Sequence, residues 1–496
     1  MSARPPVRVV VAGGGTAGWI TAAALVRQLR SSVDVTLIES DEIGTVGVGE
    51  ATIPTARTFH ELLRIDEQAF MAATQATIKL GIAFENWGAV GDRYIHSFGT
   101  APLETVAAGF QHFWLQARSK GDPHPLADYY PEYLAAEAGV FGKTGRPPLN
   151  YAYHLDATLY ARFLRTLAES EGAKRVEGRI LAVTRDGTSG DISELRLSGD
   201  RTVAGDLFID CTGFRALLSG DTMGCGFEDW NHWLPTDGAW AVQTQSVSPP
   251  VPYTRAIAHG AGWRWRIPLQ HRVGNGLVFA SGFIEPDAAR EQLLASLDGS
   301  PLTEPRVIRY RAGRRKDVWT GNCIALGLSS GFVEPLESTS IHLFMIGVTR
   351  LVQQFPFGGI TPALRARYNR MAKAELERVR DFVILHYRLT QRDDTPFWNH
   401  CRTMEIPDTL AERIALFEEQ AHCWQEAEDL FRTDSWLQVM LGQGVSPRSW
   451  HALPALMEGR LRPAMERARM QAKAALAGLP NHYAFLADYC PAQPIS

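Results

Sequence analysis

Two residues far apart in the chain carry side chains suited to transferring a group and moving a proton. The first, Lys79, stands in a mostly apolar run, residues 76–87. A lysine in such a run usually reaches solvent with its charged end, and this is the default interpretation. If the ammonium is buried instead, its pKa falls and the amine becomes a reactive group. The sequence alone leaves both interpretations open.

The second residue is Glu337, which precedes three hydroxyl residues at 338–340 and a predicted helix over 341–354. Hydroxyls and the unpaired N–H groups at a helix start together suit the binding of an anion. A simple N-cap would account for the hydroxyls as well. If the first interpretation holds, Glu337 is a carboxylate at the mouth of a helix, available to remove a proton.

The elements that would position these residues begin with a glycine-rich turn near the N-terminus. Gly13, Gly15 and Gly18 follow a β-branched run and precede a predicted helix, with the spacing G-x-G-x-x-G. This spacing allows a sharp turn and close approach to a pyrophosphate. A second β-rich run, residues 33–39, ends in Glu39 at the distance expected for a carboxylate that binds ribose. The pattern predicts a dinucleotide site, against the weaker alternative of a turn without ligand.

A later strand indicates which dinucleotide is bound. Residues 206–214 predict a buried strand that ends in Thr-Gly. Flavoproteins built from two dinucleotide-binding folds have a similar strand end beside the cofactor, and this resemblance favours FAD over NAD. The glycine-bearing loop 43–54 is expected to contact the same cofactor.

A tryptophan-rich segment forms another predicted strand. Strand alternation over residues 262–269 places Trp263, Trp265 and Ile267 on one face. The glycines of 274–276 predict the turn of a hairpin that continues from there. Core packing and a functional role explain the two indoles equally well at this point.

Composition limits the class of protein. The 496 residues suffice for two or three domains, and 45% hydrophobic with 21% charged residues is typical of a globular protein. A net charge of −4 without a dense basic run argues against a nucleic-acid partner. Six scattered cysteines without C-x-x-C spacing predict neither a metal site nor disulfides. The absence of a long apolar run predicts no membrane partner, and a cytoplasmic location is expected.

The remaining segments are less informative. Residues 101–148 read as an irregular, aromatic-rich insertion that either covers a ligand or is a surface excursion. The pattern from residue 360 onward is largely helical. Aromatic residues in 386–398 and 434–447 could line a pocket, although core packing is the default for both.

Taken together, these motifs resemble the flavin-dependent halogenases of the tryptophan halogenase family, from Val9 to about Pro447. The matches are the glycine loop, Lys79 with the Leu-Gly-Ile that follows it, the segment 335–339 (Pro-Leu-Glu-Ser-Thr), and residues 263–268, which fit the signature W-x-W-x-I-P. The tryptophan signature is the specific one, because many flavoproteins share the glycine loop.

The resemblance implies an α/β fold with a monooxygenase-like, FAD-binding core of the two-dinucleotide-fold type and a mainly helical substrate-binding subdomain. The FAD-binding module would span 1–375, interrupted by the insertion at about 101–148 and by the W-x-W-x-I-P hairpin at about 255–285. The helical subdomain would span 376–496.

The implied reaction is FADH2- and O2-dependent halogenation of an indole-like aromatic substrate at two separate sites. A flavin C4a-hydroperoxide and a halide, chloride or bromide, give hypohalous acid, and the W-x-W-x-I-P segment keeps the substrate away from the flavin. Lys79 then delivers the electrophile as a chloramine-like species or a hydrogen-bonded acid. Glu337 stabilises the cationic ring intermediate and accepts its proton.

The resemblance also implies the remaining site residues and partners. FAD would contact Gly13, Gly15, Thr16, Ala17, Gly18, Glu39, Gly49, Ala51, Ile180, Leu336 and Ile341. The halide would lie at Thr339 and Ser340, and the substrate would lie against His96, Phe98 and Trp436. Because the chain has no second G-x-G-x-x-G, FADH2 would come from a separate flavin reductase without a stable complex. A homodimer is left open.

Two departures from the family limit what can be transferred. Ser340 stands where many members have glycine, which could narrow the halide site or change its preference. The segment 434–444 lacks the tyrosine pair and glutamate with which tryptophan-specific members hold the amino-acid group. This argues against free tryptophan and leaves an indole, a phenol or a larger aromatic open. The alternatives to halogenation are direct hydroxylation by an FAD monooxygenase and flavin binding without catalysis.

Overall fold

The computed structural model describes residues 5–42, 49–102, 107–457 and 459–492. Residues 43–48 of the loop predicted over 43–54 therefore lie outside the described residues. Its last part is described and forms a short strand followed by a helix that begins at Thr55, directly after the predicted helix-opening Pro54.

The described residues form fourteen α-helices, several of which begin with proline in the first turn. They are α1 Thr16–Leu29, α2 Thr55–Leu62, α3 Glu67–Ala73, α4 Phe110–Ser119, α5 Pro131–Ala138, α6 Ala157–Ser170, α7 Pro286–Ala295, α8 Ser340–Gln353, α9 Pro362–Arg388, α10 Pro396–Thr403, α11 Asp408–Gln420, α12 Thr433–Gly442, α13 Leu461–Ala474 and α14 His482–Tyr489.

The β-strands of the described residues belong to five sheets. They are β1 Val7–Ala12, β2 Val33–Glu39, β3 Gly49–Ala51, β4 Thr77–Lys79, β5 Gly81–Glu85, β6 Arg93–Ser97, β7 Ala152–Asp156, β8 Lys174–Glu177, β9 Ile180–Arg185, β10 Ile192–Leu197, β11 Thr202–Ala204, β12 Leu207–Asp210, β13 Phe227–Asp229, β14 Gly238–Thr244, β15 Thr254–His259, β16 Gly262–Pro268, β17 Val273–Phe279, β18 Arg306–Arg309, β19 Gly313–Arg315, β20 Trp319–Thr320, β21 Cys323–Ala325 and β22 Gly331–Phe332.

The first large sheet has the strand order β20-β21-β12-β1-β2-β8 and is parallel except at its β20 edge. Its central strand β1 is a run of β-branched residues, as expected for a parallel strand covered on both faces. Helices α1, α6 and α8 pack together on one side of it. The predicted strand–turn–helix unit is therefore present, and the strand predicted over 206–214 pairs directly with β1 as β12.

The second large sheet is mixed and has the order β18-β14-β17-β16-β15-β5-β6. The tryptophan segment forms β16 in its middle, as predicted. The turn predicted at 274–276 was wrong, because these residues lie inside β17 and the chain turns at 269–272, where Leu269 N–H donates to Arg272 O at 2.9 Å. Gly276 is needed within the strand since a Cβ there would lie 2.0 Å from the ring of Trp265.

A small antiparallel sheet, β3-β7-β4, lies at the junction of these parts. Its β3 packs against β16 and β17, while β4 carries Lys79 at its end. Ile78 and Leu80 belong to the hydrophobic core around the first sheet, whereas Ile82 belongs to the core of the second. Lys79 is therefore placed where the chain passes from one core to the other.

The helices of the C-terminal part cover the second sheet. α9, α10 and α12 contribute most of the core on that side. The boundary predicted at 375/376 falls within α9, and the division into two domains stays a prediction. The insertion at 101–148 was expected to be irregular, but its described residues contain α4 and α5, which pack against α13.

Candidate active site

The glycine turn at the end of β1 has the geometry of a phosphate-binding loop. Gly13 has φ +110°, and a Cβ there would lie 2.2 Å from the carbonyl oxygen of Cys211. A Cβ at Gly18 would lie 1.9 Å from Gly13 O, so the helix packs tightly on the turn. Gly15, by contrast, faces open space and caps α1 without a side-chain hydrogen bond. Free N–H groups and open space at a helix start fit the pyrophosphate of a dinucleotide.

Glu39 lies against this loop, as its position after β2 predicts. A Cβ at Gly14 would lie 1.7 Å from its Oε2, which makes Gly14 a further required glycine that the motif does not include. Glu39 also accepts a hydrogen bond from Trp19 Nε1 at 3.2 Å and pairs with Arg175 and Arg165. The carboxylate is thus held in place by partners that sequence reasoning missed.

The other residues predicted to contact the cofactor lie in three places. Gly49 and Ala51 are in β3, where a Cβ at Gly49 would lie 3.5 Å from Ile267 of the tryptophan segment. Leu336 and Ile341 are buried at either end of the segment that contains Glu337. Ile180 begins β9 and packs against the core on the other face of the first sheet. Thr16 and Ala17 begin α1.

Lys79 does not reach solvent, so the default interpretation of this residue was wrong. The side chain is 0% exposed. Its Nζ donates hydrogen bonds to Ser338 Oγ at 2.7 Å and to Thr52 O at 3.2 Å, and lies 5.3 Å from the ring centre of Phe98. Burial lowers the pKa of Lys79 to about 7, although the nearby Glu337 carboxylate opposes that change. At neutral pH the amine is therefore present in both protonation states.

Glu337 is a buried carboxylate between two histidines. It is 1% exposed, with His96 Nδ1 2.9 Å from Oε2 and His386 Nε2 2.8 Å from Oε1. Burial alone would raise the pKa of Glu337, but the two histidines lower it to about 2. The carboxylate is consequently ionised throughout the neutral range, a state suited to facing a positive charge.

The hydroxyl residues that follow Glu337 are not used as a helix cap. Thr339 occupies the N-cap position of α8 but makes no side-chain cap hydrogen bond. Its Oγ1 is buried and has no hydrogen-bond partner among the described residues, which favours a ligand over the simple N-cap interpretation. Ser338 adopts φ +58°, a left-handed conformation that costs a non-glycine residue about 1 kcal/mol. That conformation presents its Oγ to Lys79.

The tryptophan segment lies beside these residues, with the alternation that the sequence predicts. Trp263 and Trp265 are buried on the same face of β16, in the same core as Ala51 and Leu336. Thr77 Oγ1 donates a hydrogen bond to Pro268 O at 2.7 Å. The segment is therefore bonded directly to the strand that carries Lys79.

Aromatic rings form a wall next to Glu337. The ring of His96 lies 5.7 Å from that of Phe382, which stacks on Phe431 at 3.8 Å and meets Trp436 edge-on at 4.9 Å. Phe98 lies on the Lys79 side. His96, expected to stack on the substrate, is engaged with Glu337 through its Nδ1.

Sequence reasoning missed several residues of this arrangement. Thr52 O contacts Lys79 only because β3 folds back on β7, which no local pattern reveals. His386 and Phe382 lie one helical turn apart on α9, a spacing that puts both on one face. The aromatic-rich stretch beginning at 386 was the one available signal.

Comparison with known proteins shows the family to which the chain belongs. The family model described as tryptophan halogenase matches residues 8–458. The chain belongs to the tryptophan halogenase family. The tryptophan 6-halogenase from Streptomyces toxytricini is 37% identical to this halogenase, over 98% of the chain and 99% of the relative.

Solved structures of other family members agree in fold. A flavin-dependent halogenase from Xanthomonas campestris is 53% identical, with a TM-score of 0.97 over 99% of this chain and 100% of that one. A flavin-dependent halogenase from a Brevundimonas species is 43% identical, with a TM-score of 0.94 over 98% and 100% of the two chains. The expected fold class, an α/β FAD-binding core with a helical region, is thereby confirmed.

The halogenase is an oxidoreductase whose reaction class is FADH2-dependent halogenation of an aromatic compound. Membership of the family also implies FAD, a halide ion and a separate flavin reductase. Within the described ranges, no three His, Cys, Asp or Glu residues are grouped so that they could hold a metal ion. None of the helices in the described part of the chain combines the length and apolar character that crossing a membrane requires.

Proposed function

We propose that this halogenase attaches chlorine or bromine to an indole-like ring held between Lys79 and Glu337. The observation that carries the proposal is the complete burial of Lys79 beside the buried Glu337 carboxylate, two groups linked through the adjacent Ser338. A buried amine of lowered pKa and a carboxylate that stays charged have different tasks, since one can hold an electrophile and the other can stabilise a cation.

The cofactor would be held by residues that the geometry makes suitable. The open space at Gly15 and the free N–H groups of α1 suit the pyrophosphate, and Glu39 suits the ribose. Ala51 and Leu336 share a core with the tryptophan segment, which supports a flavin ring on that side. When bound in its reduced form, FAD would supply hypohalous acid from O2 and the halide.

Thr339 and Ser340 would bind the halide. The unpartnered Oγ1 of Thr339 is a donor in a buried position, and the first N–H groups of α8 point from the same helix start. Ser340 adds a side chain at the first position of α8. We therefore expect the size of this site to influence the choice between chloride and bromide.

Lys79 would receive the electrophilic halogen in a space from which water is excluded. Water would consume the oxidant, so burial protects it. The neutral amine can form an N–halogen bond by attack on hypohalous acid, in which the oxygen–halogen bond breaks and water leaves with the proton lost from nitrogen, while the ammonium can donate a hydrogen bond to hypohalous acid. Ser338 Oγ and Thr52 O accept hydrogen bonds from Nζ and so fix its direction before the halogen arrives.

Glu337 would act on the ring as the carbon–halogen bond forms. The ring then carries a positive charge, which the carboxylate stabilises before it takes the proton from the same carbon. A carboxylate of pKa about 2 is a sufficient base, because a protonated aromatic ring is a far stronger acid. His96 and His386 keep the carboxylate ionised and oriented.

The polar groups of α12 are engaged with the protein itself, which favours a substrate without an amino-acid group. Gln438 Oε1 accepts hydrogen bonds from Ser97 N and Oγ at 3.0 and 2.8 Å. Asp434 accepts from Ala101 N at 2.8 Å and Tyr130 OH at 3.0 Å. An indole, a phenol or a larger aromatic therefore fits the wall of Phe98 and Trp436 better than free tryptophan does.

The decisive experiment combines the enzyme with FAD, a flavin reductase, NADH, bromide and indole. The expected product carries one bromine and shows its isotope doublet in the mass spectrum. A gain of oxygen that does not depend on halide would identify a hydroxylase instead. If the protein binds FAD but a scavenging dye detects no hypohalous acid, the protein binds flavin without catalysis.

The setting of the reaction follows from the same proposal. Reduced flavin would arrive by diffusion from the reductase in the cytoplasm, without a stable complex between the two proteins. Size-exclusion chromatography with light scattering would decide between a monomer and a homodimer.

A further inference from the structure

The C-terminal helix α14 is bonded to the strand that carries Lys79. Ile78 N–H donates a hydrogen bond to His482 Nε2 at 3.2 Å, across 404 positions of sequence. His482 Nδ1 lies 2.8 Å from Pro250 O. The imidazole is 1% exposed and thus bridges a loop of the second sheet and β4 within the core.

The two contacts fix the tautomer of His482. A carbonyl oxygen can only accept, so Nδ1 must carry the hydrogen that bonds to Pro250 O. Nε2 is then the unprotonated nitrogen, which is what a bond from Ile78 N–H requires. Burial lowers the pKa of His482 to about 4, so the imidazole stays neutral and the bridge stays intact in the neutral range.

A second histidine fixes the other side of the same strand. Thr77 Oγ1 gives its hydrogen to Pro268 O at 2.7 Å and must therefore accept from His154 Nδ1 at 2.9 Å. His154 Nε2 in turn accepts from Thr254 Oγ1 at 2.9 Å. The residues immediately before Lys79 are thus held through a side chain at Thr77 and through the backbone at Ile78.

We propose that His482 is a positioning residue for Lys79, and that α14 is for this reason part of the apparatus that delivers the halogen. The inference rests on the proposed role of Lys79. Its Nζ has two hydrogen-bond acceptors, Ser338 Oγ and Thr52 O, which lie on segments other than β4. Movement of β4 relative to these segments therefore misplaces the amine, and a displacement of about 1 Å can cost a hundredfold in rate.

Three substitutions separate positioning from packing. His482→Gln keeps a donor for Pro250 O and an acceptor for Ile78 N–H. His482→Asn is too short to reach Ile78 but can still bond to Pro250 O, while His482→Leu preserves volume and loses both bonds. The measured quantity is halogenated product per flavin oxidised, with indole and bromide. We expect Gln to retain this ratio within about twofold, and Asn and Leu to lower it about tenfold at an unchanged rate of flavin oxidation.

A pH profile supplies a readout that packing alone would not move. Glu337 raises the pKa of Lys79 against the effect of burial. The charge of Lys79 in turn lowers the pKa of His154, the other titratable group that interacts with it. If β4 loosens, water reaches the amine and its pKa rises toward the ordinary value. We therefore expect the midpoint of the profile to move to higher pH in His482→Asn and to stay in place in His482→Gln.

His112→Leu is the matched control. His112 is also a buried helical histidine that accepts a backbone hydrogen bond, from His451 N–H at 3.2 Å, but it lies in the insertion. The His112→Leu substitution should lower the melting temperature without changing the halogenated product per flavin oxidised. An unchanged ratio in His482→Asn, or equal losses in the Gln and Asn variants, would overturn the proposal. Failure of the proposed function would appear separately, as absence of halogenated product from the unsubstituted enzyme.

Discussion

The glycine loop of the first sheet and the Lys79–Glu337 site are built in opposite ways. The loop comes from one stretch of chain, Gly13 to Gly18, with Glu39 completing it from the neighbouring strand. The second site draws Lys79 from β4, Glu337 from the turn before α8, His96 from β6 and His386 from α9. A site made within one unit can be recognised locally, whereas a site assembled from four cannot.

The two regions also differ in electrostatics. The Glu39 carboxylate keeps 15% of its side-chain surface exposed and pairs with two arginines near solvent. Lys79 and Glu337 are buried at the junction of two hydrophobic cores, where burial and neighbouring charges move both pKa values. Because charge interactions are stronger away from water, changes at the second site should have the larger consequences.

Lys79→Ala should have the largest effect. We expect product formation to fall about a thousandfold, because the electrophile loses the group that holds it. FAD affinity and the rate of flavin oxidation should stay at their original values, because neither hydrogen bond of the Lys79 amine goes to the glycine loop. Mass spectrometry of the product and absorbance of the flavin measure the two quantities. Equal loss of both would show that the two regions are not independent.

Glu337→Gln should lower product formation about a hundredfold, the size typical of a lost general base. The amide keeps the shape of the side chain but cannot neutralise a cationic ring. Hypohalous acid should still be generated and should be detectable by a scavenging dye. Loss of flavin binding in this variant would assign Glu337 a structural role instead.

The pH dependence of the product per flavin oxidised should show one transition near pH 7, the value to which burial lowers the pKa of Lys79. If the neutral amine is the active form, the product per flavin oxidised should rise as the pH increases through the transition. If the ammonium is the active form, this ratio should fall. On the inactive side of the transition the change should be about tenfold per pH unit. Glu337, with a pKa of about 2, stays ionised across the measured range. A flat profile between pH 5.5 and 8.5 would contradict a role for the amine.

Glu39→Gln should have the smallest effect, a loss of FAD affinity of severalfold, because the carboxylate is partly exposed and the loop retains its N–H groups. Once FAD is saturating, the product per flavin oxidised should equal that of the unsubstituted enzyme. Fluorescence titration of FAD gives the affinity. A change in the product ratio at saturating FAD would break the separation between the two regions.

Local patterns were enough for the first region. A β-branched run, three spaced glycines and a terminal acid obey rules that operate within about thirty residues, so β1, α1 and β2 could be predicted. The same holds for the alternation of Trp263 and Trp265. The glycines at 274–276 led to the wrong prediction of a turn. The sequence shows that these residues are glycines, but it does not show that Gly276 leaves space for the indole of Trp265.

The second region depends on burial, which is a property of the whole fold. A lysine between apolar neighbours reads as a surface residue until two cores are seen to meet at that point. His386 becomes a partner of Glu337 only because α9 packs beside α8, whose preceding turn carries Glu337. The local sequence made Lys79 and Glu337 candidates and the family resemblance gave each a role, but the contacts with Ser338, Thr52 and the two histidines required the structure.

The backbone conformation of Ser338 bears on attempts to make this enzyme more robust. Glycine at that position would relieve the left-handed backbone, and selection for heat resistance alone would favour the replacement. The same replacement removes the hydroxyl that receives the hydrogen bond of Lys79. A library screened by melting temperature would therefore enrich a folded, flavin-oxidising protein in which Ser338 no longer positions Lys79 and less product is halogenated.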